Sequence, residues 1–229
     1  GSAQPSAELS VQTGSDDTAL LRAGVSGSAG RQAPISYAAN AEWQRSNGDR
    51  DRSGYEGVGA GGRIGADLPG GIGLSAAGSW YRSDYELPGD LTRAEMRNDP
   101  EQSGNPNDAT DNRYGNAGLD LTVEAGAGVR FDLGLGWSAK RTESDVESWF
   151  LFSDTDLDSY TVQPQVTVEG DWGGMAHRAM AGLDVALDRM DVDRYEDAAR
   201  TDRAIAAELR KRTTGGYLDR KSTRLNSSH

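Results

Sequence analysis

Several stretches carry residue types that could do chemistry. Gly57-Val58-Gly59-Ala60-Gly61-Gly62 has the glycine density of a phosphate cradle. Such a loop must open a helix whose first amides face the phosphates, and no helical periodicity follows Gly62. Glycines at alternate positions 57, 59 and 61 fit a strand with one smooth face, which another element could approach closely. Val25-Ser26-Gly27-Ser28 lies in an alternating stretch and makes no nucleophile elbow. No nucleophile, base and orienting group come together, so an enzyme is not expected. The Asp/Asn-rich stretch 98–112 lacks the ligand spacing of a calcium loop, so a mobile solvated loop is expected there, not a metal site. His177 stands beside a tight turn with no His or Cys near it and is expected on the surface. What remains is aromatic: Tyr81, Tyr85, Phe150 and Phe152, candidates for contact with a bulky ligand.

The composition narrows the classes. The chain has 229 residues and a net charge of −12, against the clustered positive charge that nucleic acid requires. There is no Cys and there are only two His, which removes disulfides, thiolate nucleophiles and His-rich metal centres. Mean hydropathy is −0.68, and no apolar run is long enough for a transmembrane helix. A β-barrel strand exposes only alternate residues to lipid, so alternation is the relevant signal.

Alternation runs through the chain. Val129, Phe131, Leu133, Leu135 and Trp137 alternate with Arg130, Asp132, Gly134, Gly136 and Ser138. Leu119, Leu121 and Val123 alternate with Asp120, Thr122 and Glu124, and Gly126 links the two runs as a hairpin. The same pattern covers 35–44, 72–81, 160–172 and 176–190, with weaker strands at 7–13, 18–28, 55–68 and 211–219. The expectation is an all-β, antiparallel up-and-down meander of about ten strands, part of a transmembrane β-barrel. Tight turns fall near 29–33, 68–71, 125–127 and 172–175. Long polar connections fall at 46–54, 86–112 and 191–210. Strands 127–141 and 160–172 are expected to continue outward to a turn at 153–156. Thr92-Arg93-Ala94-Glu95 is a capping box, so a short helix is expected in the 86–112 loop, and 202–212 also has helical character.

Charge decides which face meets lipid. A basic residue near the bilayer midplane costs about 2–4 kcal/mol, so Arg130, Asp132 and Lys140 face the lumen and the apolar set faces out. Trp43, Trp80 and Trp137 then edge the lipid face on the long-loop side, and Trp172 edges it on the other. In the same register Tyr81 and Tyr85 face inward. Phe150 and Phe152 also face inward if the 127–141 register continues.

Gly24-Val25-Ser26-Gly27, Ile35-Ser36-Tyr37-Ala38-Ala39 and Ser46-Asn47-Gly48-Asp49-Arg50-Asp51-Arg52-Ser53 resemble the first barrel strands of TonB-dependent outer-membrane receptors. The run from Asp84 to Thr92, Thr161-Val162-Gln163-Pro164-Gln165 and the turn into His177-Arg178-Ala179-Met180 are similar too, so that residues 7–220 resemble part of such a barrel. The resemblance implies a Gram-negative outer-membrane location and energised uptake of a scarce ligand, such as a ferric siderophore or a cobalamin-like molecule. It also implies a TonB partner acting through a plug domain, which is not in this sequence, and no resident cofactor. Aromatics at the loop-side rim would then touch the ligand, and the 57–61 strip would face the plug. Residues 221–229 break the pattern and look like translated adapter sequence, a non-native tail. Two other readings stand beside this one: a small outer-membrane pore or structural barrel, and a soluble β-rich binding module.

Overall fold

The structure is a computed structural model that describes residues 4–30, 35–172 and 175–224. Ten strands form one antiparallel sheet in sequence order: β1 (Ser6–Thr13), β2 (Ala19–Ala29), β3 (Ile35–Ser46), β4 (Tyr55–Leu68), β5 (Ile72–Glu86), β6 (Ala109–Gly126), β7 (Val129–Val146), β8 (Leu151–Trp172), β9 (Met175–Tyr195) and β10 (Arg203–Arg224). A six-residue helix, α1 (Arg93–Asn98), lies between β5 and β6. Each strand pairs with its neighbour in the chain, and among the described residues β1 and β10 do not pair with each other. The sheet is therefore an open wall with two free edges.

Pairing puts directly opposed residues on the same face. One such row reads Tyr37, Ile64, Ala76, Leu119, Leu135, Val162 and Val185. An adjacent row on the other face reads Ser28, Ser36, Gly65, Ser75, Asp120, Gly134 and Gln163. From β1 to β9 the two faces are thus apolar and polar, as the alternation requires, while on β10 Arg212 lies opposite Leu187 and Arg220 opposite Ala179 on the apolar face. Neither face is covered. Phe152 is the only hydrophobic side chain buried among the described residues, while Leu119, Leu135, Trp137 and Leu183 are all at least 40% exposed. The chain exposes 15524 Å², against about 10000 Å² for a compact monomer of 24.4 kDa. Folding without a core leaves the backbone ladder and cross-strand pairs as the main intramolecular stabilisation.

Loop lengths sort by end. Among the described residues, one end carries the turns 69–71 and 127–128, while the other carries 14–18, 47–54, 87–108, 147–150 and 196–202. Three expectations are corrected here. First, β6 and β10 begin earlier than expected, so the loops before them are shorter. Residues 203–212 lie in β10 instead of a helix, because pairing with β9 satisfies their backbone groups. Second, β7 and β8 turn at residues 147–150, not 153–156, with Phe150 in the left-handed region at φ 51°. Third, β10 does not stop at 220: Lys221 to Arg224 continue the ladder opposite Arg178 to Met175, and 225–229 lie outside the described residues.

The long loops are tied down by Arg50. Its guanidinium donates to the carbonyls of Gly89 at 2.8 Å and Gln102 at 3.0 Å, and Asp51 N donates to Glu101 O at 2.6 Å. The capping box of α1 forms as expected: Thr92 N donates to Glu95 Oε2 at 2.7 Å, and Glu95 N donates to Thr92 Oγ1 at 3.3 Å. Hydrogen bonds from the Thr92 hydroxyl and backbone N–H hold the Glu95 carboxyl below its ordinary pKa. Its contribution to α1 is therefore complete above the ordinary carboxylate range and is lost as pH falls through the lowered value. Protection of the 92–99 amides, taken relative to their intrinsic exchange rates, is expected to fall as pH drops through that value, and pH-independent protection would contradict the capping role. Arg50→Ala is expected to speed tryptic cleavage at Arg93 and Arg97 by about tenfold or more, since hydrogen bonds to a charged group contribute about 1.5–3 kcal/mol each. Unchanged cleavage would show that the loop holds itself.

Candidate functional site: tyrosines on the polar face

β3, β4, β5 and β6 bring four tyrosines onto the polar face near the long-loop end. Tyr81 is directly opposite Tyr114, and Tyr55 directly opposite Tyr85. Gln44 joins them, its Nε2 donating to Tyr55 Oη at 2.8 Å and to Tyr81 Oη at 3.1 Å. The two phenol oxygens also hydrogen-bond to each other.

The glycines of β4 make room for these rings. A Cβ on Gly59 would stand 2.7 Å from Tyr81 Cδ2, and one on Gly57 would stand 2.6 Å from both phenol oxygens. The strip at 57–61 is therefore not left smooth: at 57 and 59 it is the bed on which Tyr55 and Tyr81 lie. Glycine there is a matter of space, since any side chain would lift the rings.

Lys140 extends the cluster. It is directly opposite Tyr114 on one side and Leu157 on the other, and it makes no ion pair among the described residues. The surrounding polar face offers hydroxyls, with Ser83 and Thr110 buried beside the tyrosines and Thr110 Oγ1 within 3.4 Å of Ser144 Oγ. The site thus supplies flat aromatic surface, phenol and hydroxyl hydrogen bonds, and one available cation. It holds no nucleophile with a base, and among the described residues no group of three or more His, Cys, Asp or Glu is placed to hold a metal.

Of the expected contact residues, Tyr81 and Tyr85 face this site and the phenylalanines do not. Phe150 sits in the β7–β8 turn, 78% exposed. That turn resets the parity, so Phe152 pairs with Asp145 and Tyr195 on the opposite face. There Arg200 binds Asp145 at 3.0 Å and Asp154 at 2.8 Å, and stands 6.0 Å from the Tyr195 ring centroid. Tyr55, Tyr114 and Gln44 were not singled out from the sequence. Tyr114 continues the even-numbered polar face of β6, which was the readable signal. Tyr55 opens a strand too glycine-rich to show its register. His177 is a further correction: it is 6% exposed, with Arg220 Nη2 at 3.3 Å from its Nδ1. β10, which continues past 220, supplies the partner.

Trp43, Trp80 and Trp137 share the apolar face. Each stands eight residues beyond the start of its strand, at Ile35, Ile72 and Val129. In register, Trp80 lies one pair (two residues) beyond the row of Trp137, and Trp43 one pair beyond that of Trp80. The step is about 6.6 Å along the strands for every two strands, or about 9.6 Å across. That diagonal corresponds to about 35°, the strand tilt of an outer-membrane barrel, so the three indoles and the three turn ends run level once the strands tilt. The same slant explains why Val58 and Trp43 share a register row with Arg82, Arg113 and Arg141. The row lies inside the apolar band at β3 and β4 and beyond it at β5 to β7. Trp172 ends β8 at the opposite rim, and its side chain lies outside the described residues.

No protein-family model matches the chain, and no curated protein does. Solved structures do match. The ferric citrate transporter FecA in the unliganded form is 15% identical, with a TM-score of 0.67 over 97% of this chain. The ferripyoverdine receptor of the outer membrane of Pseudomonas aeruginosa is 11% identical, with a TM-score of 0.76 over 94%. The siderophore receptor PiuA from Acinetobacter baumannii is 13% identical, with a TM-score of 0.64 over 97%. The chain spans 35%, 34% and 40% of their lengths. The likeness is one of fold, and the ten-strand meander is the fold of part of the wall of TonB-dependent siderophore receptors.

Proposed function

We propose that the chain is a piece of the barrel of a TonB-dependent transporter in a Gram-negative outer membrane, its apolar face on lipid and its tyrosine cluster facing the ligand path. The observation that carries this reading is the slanted apolar band. From β1 to β9 the band is free of charge, a row of Trp lies at constant spacing from the turns, and its slant is that of barrel strands. A soluble module would bury such a band, and monomers rarely expose apolar patches beyond a few hundred Å². The ligand class is a ferric siderophore or a similarly bulky chelate, for which aromatic surface with hydroxyls and a lysine is suitable contact chemistry. Transport needs the plug and its TonB partner, so the segment described here supplies wall and contacts, not energy coupling.

Two measurements test this. In detergent-folded protein, Leu135→Arg is expected to lower stability in bilayers by about 2–4 kcal/mol, while Gly134→Ala on the polar face stays within about 0.5 kcal/mol. Equal effects would mean that neither face meets lipid. In the receptor that carries this segment, Tyr81→Ala and Tyr114→Ala are each expected to weaken ferric-chelate binding by about tenfold, in line with about 0.5–1.5 kcal/mol per aromatic contact. Unchanged affinity across a panel of hydroxamate, catecholate and citrate chelates would remove the tyrosines from the ligand path.

A further inference from the structure

Beyond the tryptophan rim the two faces exchange character. On the polar face, three register rows run outward from that of Tyr81 and Tyr114. From β4 to β10 each holds seven residues, and none is Asp or Glu. On the other face, the two rows interleaved with them carry nine carboxylates, Glu56, Asp84 and Asp193 among them. In a chain of net charge −12, that sorting clears anionic charge from the face that carries the tyrosines. Lys140 and Arg194 are the cations of the three rows, and neither makes an ion pair among the described residues.

The same face turns apolar toward β10. The row of Tyr114 and Lys140 continues as Leu157, Met190 and Leu209. Val192 stands one pair farther out, opposite Thr155. Leu209 is 54% exposed, and Leu157, Met190 and Val192 are half-buried.

Lipid does not account for this strip. The indole rim shifts by one pair every two strands, which puts it level with Val185 on β9. Met190 lies five residues beyond, about 16 Å along the strand or about 13 Å of height once tilted. The head-group layer is about 5–8 Å thick. The strip therefore stands outside the bilayer, and Arg189, Asp191 and Asp193, which alternate with Met190 and Val192, carry charge on the reverse of the same stretch. From Leu157 to Leu209 it crosses two strand spacings, about 10 Å. An apolar strip in water, continuous with the tyrosines and a lysine, fits a ligand that is apolar at one end and anionic at the other.

We propose that the ligand is an anionic ferric chelate bearing a hydrocarbon chain, the chelate against Tyr114 and Lys140 and the chain across Leu157, Met190 and Leu209. This inference deepens the siderophore reading and rests on it.

The test uses the full chain in lipid nanodiscs and two probes. One is a ferric tris-catecholate carrying a decanoyl chain tipped with a diazirine, and the other is the same chelate carrying an acetyl group. Binding is read as radioactive iron retained, less that of protein-free discs. The decanoyl form is expected to bind at least about tenfold tighter, since each buried methylene contributes about fourfold in affinity. Its photolabel is expected on β8 to β10 around Met190. Met190→Gln with Leu209→Gln is expected to bring the decanoyl form down to the affinity of the acetyl form and to leave the acetyl form unchanged. Equal affinity of the two probes would overturn the proposal. So would a preference that survives the double variant, or label confined to the outer band around Leu135, which would place the chain in lipid. If the double variant does not fold, the two-probe comparison and the label positions still decide. Tyr114→Ala separates this inference from the reading beneath it. It is expected to weaken both probes alike, and no effect on either would overturn the siderophore reading itself.

Discussion

Everything in this structure depends on keeping charge out of a slanted band on one face of the sheet. A basic side chain at the bilayer midplane costs about 2–4 kcal/mol, a large part of the 5–15 kcal/mol by which proteins are stable. Nine strands, β1 to β9, obey the constraint together, while β10 carries Arg220 opposite Ala179 on that face, and because strands tilt, the uncharged stretch shifts by about one register pair every two strands. Arg82 and Trp43 therefore share a row without conflict. The charges do not disappear. They move to the polar face or to the outer ends of the strands, where Arg82, Arg113 and Arg200 meet Asp111, Asp145 and Asp154. Such exposed pairs contribute little each, about 0–1 kcal/mol, so their role is to satisfy charge at the rim more than to hold the sheet.

The polar face answers to a different constraint. It carries glycines where the rings of Tyr55 and Tyr81 lie. Gly57 and Gly59 weaken β4 as a strand, since glycine loses the most chain entropy on ordering. What offsets the cost is the seat they provide for Tyr55 and Tyr81, which Gln44 fixes by hydrogen bonds to both. On the proposed reading the two faces divide the work, one excluding charge and the other contacting the ligand.

The architecture was legible in the sequence because period-two alternation is a strong signal where both faces are chemically distinct. The pattern in 117–125 and 129–139 gave the strands, their hairpin and the facing of each residue, and Thr92 with Glu95 gave the loop helix. Tyr81 and Tyr85 followed from the same parity. The failures have local causes. Phe150 adopts a left-handed turn, which shifts parity and sends Phe152 to the other face. Residues 202–212 have the composition of a helix but the pairing opportunity of an edge, and the ladder with β9 prevails. His177 looked solitary because its partner Arg220 lies 43 residues away, on a strand that the sequence pattern ended at 219. The aromatic seat on β4 was invisible because glycines report neither face nor neighbour.

The central claim is that one face of the sheet meets hydrocarbon and the other water. Spin labels attached through Leu135→Cys and, one residue away, Gly134→Cys test it most directly, with the protein in bilayers and collision with oxygen and with a polar nickel chelate both measured. The account expects the label at 135 to be relaxed by oxygen and shielded from the nickel chelate, and the label at 134 to show the reverse. Equal access of the nickel chelate to both positions, or shielding of both from oxygen as in a packed core, would contradict it.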